Sequence, residues 1–203
     1  MLLLATRNPG KVREIRESLR GLDLDLISVA EWGEIPEPEE TGPSFAENAR
    51  QKAEYYFQHT GMAALADDSG LEVDALGGAP GVHSSRFAST DRDRIQKLLG
   101  LLQHLDPVRQ SHLRTARFVC AICLVGASRV VEVQGTVEGR VSGAPRGEHG
   151  FGYDPIFFYP PLKRTFAELT SDEKNRISHR ARALAELRSK LNAVDLAKLT
   201  ARR

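Results

Sequence analysis

Residues 114–138 constrain the fold of this chain more than any other segment. Two β-rich runs, 114–125 and 129–138, flank the short connector Gly126-Ala127-Ser128. Adjacent β-rich runs with so short a join predict a β-hairpin. Before it, short apolar segments alternate with helical patterns: 1–6 and 24–29 read as strands, and a helix follows the first. Strand–helix alternation followed by a hairpin predicts an α/β fold with a mixed sheet.

The helix signals are specific. Asn8 can cap a helix with Pro9 at its first position and Val12, Ile15 and Leu19 on one apolar face. The segment Glu31–Pro43 holds three prolines and five glutamates and reads as a loop. A second helix starts near Ser44, with Glu47 completing an S-x-x-E capping box, and stops at Gly61. Residues 62–66 form a strand expected to end in Asp67-Asp68-Ser69-Gly70, and a third helix covers roughly residues 90–104. After the loop GEHGFGYDP comes an apolar IFFY strand. A last helix runs from Thr170, with Glu173 in a capping box, to about Asn192, with a stripe of Ile177, Ala181, Leu184, Leu187 and Leu191. The tail from Asp195 to Arg203 reads as either a short helix or a basic end. A chain of 203 residues suits one domain, 1–203.

The longest apolar stretch, Phe118 to Ala127, falls short of the roughly 20 residues needed to span a bilayer. The start, MLLLATRNPG, lacks the basic segment of a secretory leader. A cytoplasmic protein with no membrane partner is the expectation. Cys120 and Cys123 form a C-x-x-C, but three residues apart on a strand they face opposite ways, so they read as core residues.

Charge is informative only locally. The formal net charge is +1, which predicts no nucleic-acid partner. Residues 1–100 carry 11 basic and 17 acidic side chains, whereas residues 101–203 carry 17 and 10.

Four polar clusters carry candidate chemistry. Thr6-Arg7-Asn8-Pro9-Gly10-Lys11 lies where a strand feeds a helix, and a helix start attracts anions such as polyphosphates. Read alone, Asn8 could equally be only a cap and Lys11 a solvated residue. Asp67-Asp68-Ser69-Gly70, with Glu37, Glu39 and Glu40, offers the oxygen ligands that magnesium takes. It also offers a carboxylate to orient or deprotonate water. Periodicity does not choose between the two aspartates, although only one should face a site directly. Gly150-Phe151-Gly152-Tyr153-Asp154-Pro155 combines close backbone approach, a stacking face and an acceptor for a base N–H; a tight turn with an aromatic plug is the bland alternative. Lys174, Ser178, His179 and Arg180 lie on the last helix, where a solvated basic face is the bland alternative, as it is for Lys52 on the second helix.

Together the segments ATRNPGKVREI, SFAENARQKA, ADDSGLEVDALGGAPGVHSSRFA, GFGYDPIF and FAELTSDEKNRISHRARAL resemble the inosine/xanthosine triphosphate pyrophosphatase family over nearly the whole chain. Their order and spacing make the match specific. The resemblance implies hydrolysis of ITP, dITP and XTP to the monophosphate and pyrophosphate, by water attack on the α-phosphorus with Mg²⁺. It implies an elongated central mixed sheet flanked by helices, two lobes with the active-site cleft between them, and a homodimer. It implies that Thr6, Asn8, Lys11 and Lys52 hold the triphosphate, that Asp68 is the catalytic carboxylate, and that Glu40 and Asp68 ligate the metal. Ser69 would contact substrate, Phe151 would stack on the base, and Gly152, Tyr153 and Asp154 would line its pocket. Lys174, His179 and Arg180 would read the base edge. Tyr153 stands where some relatives carry tryptophan. A pyrophosphatase for modified pyrimidine triphosphates on a similar scaffold is the alternative; the Thr-Arg-Asn-Pro-Gly-Lys opening weighs against it. A non-enzymatic nucleotide sensor or nucleic-acid-binding module is a third reading, opposed by carboxylates that would repel a phosphate backbone.

Overall fold

The computed structural model of the protein describes residues 1–191, so Asn192 and the tail from Asp195 to Arg203 lie outside the described residues. The strands are β1 (Leu2–Leu4), β2 (Leu26–Ser28), β3 (Ala64–Val73), β4 (Thr115–Gly126), β5 (Arg129–Val141), β6 (Phe157–Tyr159) and β7 (Arg164–Thr165). The helices are α1 (Pro9–Ser18), α2 (Val29–Trp32), α3 (Phe45–Thr60), α4 (Asp91–Leu101), α5 (Ser171–Ile177) and α6 (His179–Lys190). The strands form a seven-stranded sheet in the order β2-β1-β3-β4-β5-β6-β7. β1 pairs parallel with β2 and β3, whereas β6 pairs antiparallel with β5 and β7. The sheet is mixed, as expected, and β4 and β5 are neighbours joined by the turn Ala127-Ser128.

Helix starts obey their caps. Asn8 Oδ1 accepts from the N–H groups of Gly10 and Lys11 at 2.9 and 3.2 Å, a cap that contributes about 1 kcal/mol. Ser44 Oγ accepts from Glu47 N–H at 3.2 Å, and Gly61 closes α3 in the left-handed conformation at φ 68°.

The described residues fall into two compact units. One comprises Met1–Asp68, Cys120–Gly135 and the segment from Arg180 onward; the other comprises Ser69–Val119 and Thr136–His179. The first has its own core, in which Leu4 of β1, Leu65 of β3 and Ile15 of α1 pack with Leu184 and Leu187 of α6. Cys120, Ile122 and Leu124 join it from one face of β4, as a period of two requires. The second unit is centred on aromatic rings: Phe118 lies 4.5 Å from Phe157 and 5.9 Å from Phe166, centroid to centroid. Both cysteines are free and buried; burial raises both thiol pKa values, that of Cys123 to about 12.

Several boundaries differ from the sequence expectation. β3 does not end at Asp67 but continues through Asp68-Ser69-Gly70 to Val73, because Leu71 and Val73 are buried in the second core. Ser-Gly there is strand, since core burial beyond it outweighs local turn preference. The segment expected as loop from Glu31 begins within the single turn of α2, where Glu31 accepts from the N–H of Ser28 at 2.8 Å. The third helix stops at Leu101. The last helix is two: Ser178 is extended (φ −66°, ψ 159°) and separates α5 from α6. The break divides the stripe, leaving Ile177 against the second core and Leu184, Leu187 and Leu191 in the first. Ala183, not Ala181, is the buried alanine of α6.

Candidate active site

The first unit gathers the expected phosphate and metal residues. β1 leads into α1, whose start carries Thr6, Asn8 and Lys11. Thr6 Oγ1 accepts from Asn8 N–H at 3.2 Å. Asn8 Oδ1 is committed to the cap, so its amide –NH₂ is the group it could offer an anion. Lys11 Nζ lies 3.1 Å from Asp67 Oδ1.

Strand alternation separates the two aspartates. Asp67 is fully buried: Oδ2 accepts from Arg180 Nη2 at 2.8 Å and from Nε at 3.1 Å, with Cys120 Sγ 3.7 Å away. Burial pushes its pKa up, but Arg180 and Lys11 outweigh this and hold the carboxyl well below the usual carboxylate range. Asp68 Oδ2 accepts from Asn48 Nδ2 at 3.0 Å. Burial holds the Asp68 carboxyl above its usual range, and Glu40 acts in the same direction against Lys52 and Lys11.

Lys52 lies on α3, ion-paired to Glu40 and 3.4 Å from the Asp67 carbonyl oxygen. Burial opposes its charge, but Glu40 and Asp68 outweigh this and raise its pKa. Glu40 and Asp68 are hard oxygen donors, and a cation there would relieve their mutual repulsion. Among the described residues no three or more His, Cys, Asp or Glu side chains form a metal-holding group. Two carboxylates are a donor set that fits an ion keeping several waters and taking further oxygens from phosphate, as Mg²⁺ does.

Arg180 was expected with the base-reading residues. It belongs instead to the first unit, buried at 1% exposure and ion-paired to Asp67 and to Glu14 of α1. These carboxylates outweigh the burial penalty on its charge and raise its pKa further.

The second unit holds Ser69, expected to contact substrate, and gathers the expected base residues other than Arg180. Ser69 is half-buried in β3. Lys174, on α5, is buried and its Nζ donates to Asp154 Oδ2 at 2.6 Å. The same oxygen accepts from Phe151 N–H at 2.9 Å, and Lys174 Nζ lies 4.7 Å from the centre of the half-buried Phe151 ring. Gly152 adopts φ +62°, a conformation glycine tolerates, and its N–H donates to Asp91 Oδ2 at 2.7 Å. The Tyr153 hydroxyl donates to the Ser84 carbonyl at 3.0 Å, and burial raises its pKa. His179 is buried with its ring stacked on Phe118, centroids 4.6 Å apart at 12°.

Sequence reasoning missed Asn48, Glu14 and Asp91. Asn48 carried a signal: it is a polar residue one turn before Lys52 on the buried side of a helix that also buries Phe45 and Ala49. Glu14 adjoins Ile15 on the buried side of α1, which also marked it. Asp91 looked like an ordinary first-turn acid, and nothing local connects it to Gly152.

Comparison with known proteins gives a consistent picture. The model of the Ham1 family matches residues 2–190. A dITP/XTP pyrophosphatase of Exiguobacterium sp. is 47% identical over 94% of this chain and 96% of its own length. A dITP/XTP pyrophosphatase of Thermus thermophilus is 48% identical over 92% of this chain and 89% of its own length. The solved structure of a HAM1 protein from Coxiella burnetii superposes with a TM-score of 0.82 at 45% identity, covering 93% of this chain and 96% of that one.

Proposed function

The chain belongs to the Ham1 family, and from that premise we propose that it hydrolyses the non-canonical purine nucleoside triphosphates ITP, dITP and XTP to the monophosphate and pyrophosphate. Its relatives named dITP/XTP pyrophosphatases support this reading. The observation that carries the chemistry is the cluster in which Lys11 faces the buried carboxylate of Asp67 and Lys52 the half-buried carboxylate of Glu40, beside Asp68.

Each group then has a role. Lys11 and Lys52 exchange carboxylate partners for phosphate oxygens and neutralise charge as it develops. Thr6 and Asn8 add neutral donors at the start of α1. Asp68 orients the attacking water and accepts its proton as a carboxylate. The new bond forms from water oxygen to the α-phosphorus, the bond from that phosphorus to the bridging oxygen breaks, and pyrophosphate leaves. Glu40 and Asp68 would hold a divalent ion, which we assign as Mg²⁺; when bound it would supply Lewis-acid charge on the phosphate oxygens.

In the second unit Phe151 offers the ring on which a base stacks, Gly152, Tyr153 and Asp154 line its pocket, and Ser69 contacts substrate. Lys174, held by Asp154, donates to a 6-oxo group, and Asp154 accepts from a base N–H. His179 adds a ring nitrogen. Adenine presents a 6-amino group to the Lys174 donor, and each buried group left unpaired costs roughly 1–3 kcal/mol. Arg180 meets a base only by leaving Asp67 or Glu14, so its part in base reading requires an exchange of partners. Among the described residues no helix is long and apolar enough to cross a membrane. A cytoplasmic homodimer without nucleic-acid partners rests on the family resemblance and the near-neutral charge.

The test is a panel of ITP, XTP, dITP, ATP, GTP and modified pyrimidine triphosphates with Mg²⁺, with products identified. Preference for 6-oxopurines with release of pyrophosphate is expected. Orthophosphate as product, or preference for a modified pyrimidine, overturns the proposal.

A further inference from the structure

Asn48 is wholly buried at 0% exposure, and its side-chain amide bonds in two directions. Nδ2 donates to Asp68 Oδ2 at 3.0 Å, and Oδ1 accepts from Gly42 N–H at 2.7 Å. The chemistry of the partners fixes which end of the amide faces which: a carboxylate accepts and a backbone N–H donates. Gly42 is two residues from Glu40, so one planar side chain joins the segment presenting Glu40 to the carboxylate of Asp68. The fit is close. A Cβ at position 42 would lie 2.7 Å from Asn48 Oδ1 and 2.9 Å from Glu47 Cβ, so glycine is required for this approach.

We propose that Asn48 is a positioning residue that sets the Glu40 and Asp68 carboxylates at the spacing of one divalent cation. This rests on the assignment of those two carboxylates to the metal. Two like charges tend to separate, and an uncharged amide can hold them without adding charge to either. Residues that hydrogen-bond metal ligands commonly govern affinity in this way. Aspartate at position 48 keeps an acceptor for Gly42 but turns a carboxylate oxygen toward Asp68. Alanine at position 42 leaves Asn48 in place but pushes it off the segment carrying Glu40.

The experiment titrates Mn²⁺ into the nucleotide-free protein, read by its electron paramagnetic resonance signal, for wild type, Asn48→Asp and Gly42→Ala. Turnover of ITP is measured alongside. Both variants are expected to bind Mn²⁺ about 10–100-fold more weakly and to lose kcat by a similar factor, with the ITP KM within about twofold. Asn48→Ser, smaller and uncharged, carries the same expectation should Asn48→Asp not fold. Folded variants with wild-type Mn²⁺ affinity overturn the proposal, as does a wild type that binds no Mn²⁺. A wild type that binds Mn²⁺ but cleaves no 6-oxopurine triphosphate overturns the assigned function instead, and the variants' Mn²⁺ affinities still decide the role of Asn48.

Discussion

Asp67 and Asp68 are consecutive in β3, yet their carboxylates have different partners: Asp67 Oδ2 is gripped by Arg180 at 2.8 Å, and Asp68 Oδ2 accepts from Asn48 at 3.0 Å. Asp67 is held as a carboxylate by cations, whereas Asp68 is buried beside another acid and has a raised pKa. The contrast in partners underlies the proposed division of labour, Asp67 for structure and Asp68 for chemistry.

Asp68→Asn should therefore remove the base while keeping size and most packing. Turnover of ITP should fall by about 10²–10⁴-fold, the range associated with a general base. Nucleotide binding, measured by calorimetry on the inactive variant, should persist. Near-normal kcat would take Asp68 out of the catalytic role.

Asp67→Asn should act on stability. Removing one partner of a buried ion pair costs about 3 kcal/mol, measurable by urea unfolding at pH 7. The effect has a direction in pH. The folded Asp67 pKa is depressed, so its ionisation stabilises the fold fully above the unfolded value of about 3.9 and progressively less as pH falls from there to the folded value. The wild-type advantage over Asp67→Asn should shrink in acid below that value. An advantage unchanged between neutral pH and pH 3 would refute the pairing as its source.

Lys174→Met keeps a long side chain but removes the donor proposed for the 6-oxo group. The ratio of kcat/KM for ITP to that for ATP should drop by about tenfold or more, equivalent to roughly 1–3 kcal/mol of discrimination. Equal losses for both nucleotides would assign Lys174 to general binding. The variant also leaves Asp154 without its cation, so Lys174→Met with Asp154→Asn is the control that separates selectivity from a stranded charge.

Local chemistry made much of the molecule legible. The Asn8 and Ser44 caps, the Gly61 stop and the Ala127-Ser128 turn depend on residues within a few positions of one another, and the structure has them as expected. The mixed sheet followed from the order of strand and helix patterns. Phe151 and Lys174 were visible only as members of two separate clusters; the burial of Lys174 and its pairing with Asp154 at 2.6 Å were not legible.

What the sequence by itself determined was most of the longer elements and most of the reactive groups, but not the break at Ser178, the turn of α2 or the parts played by Asn48, Glu14 and Asp91. The tertiary structure alone decided which partners those groups have. Arg180 reaches Asp67 across 113 positions and Glu14 across 166. Asn48 meets Asp68 twenty positions away, and the Ser69-Gly70 turn signal was overridden by the burial of Leu71 and Val73. The physical reason is range. Caps, turns and periodicity act through neighbouring backbone, whereas charge and burial act through space, and the distances that set a pKa or choose between two adjacent aspartates exist only once remote segments have packed.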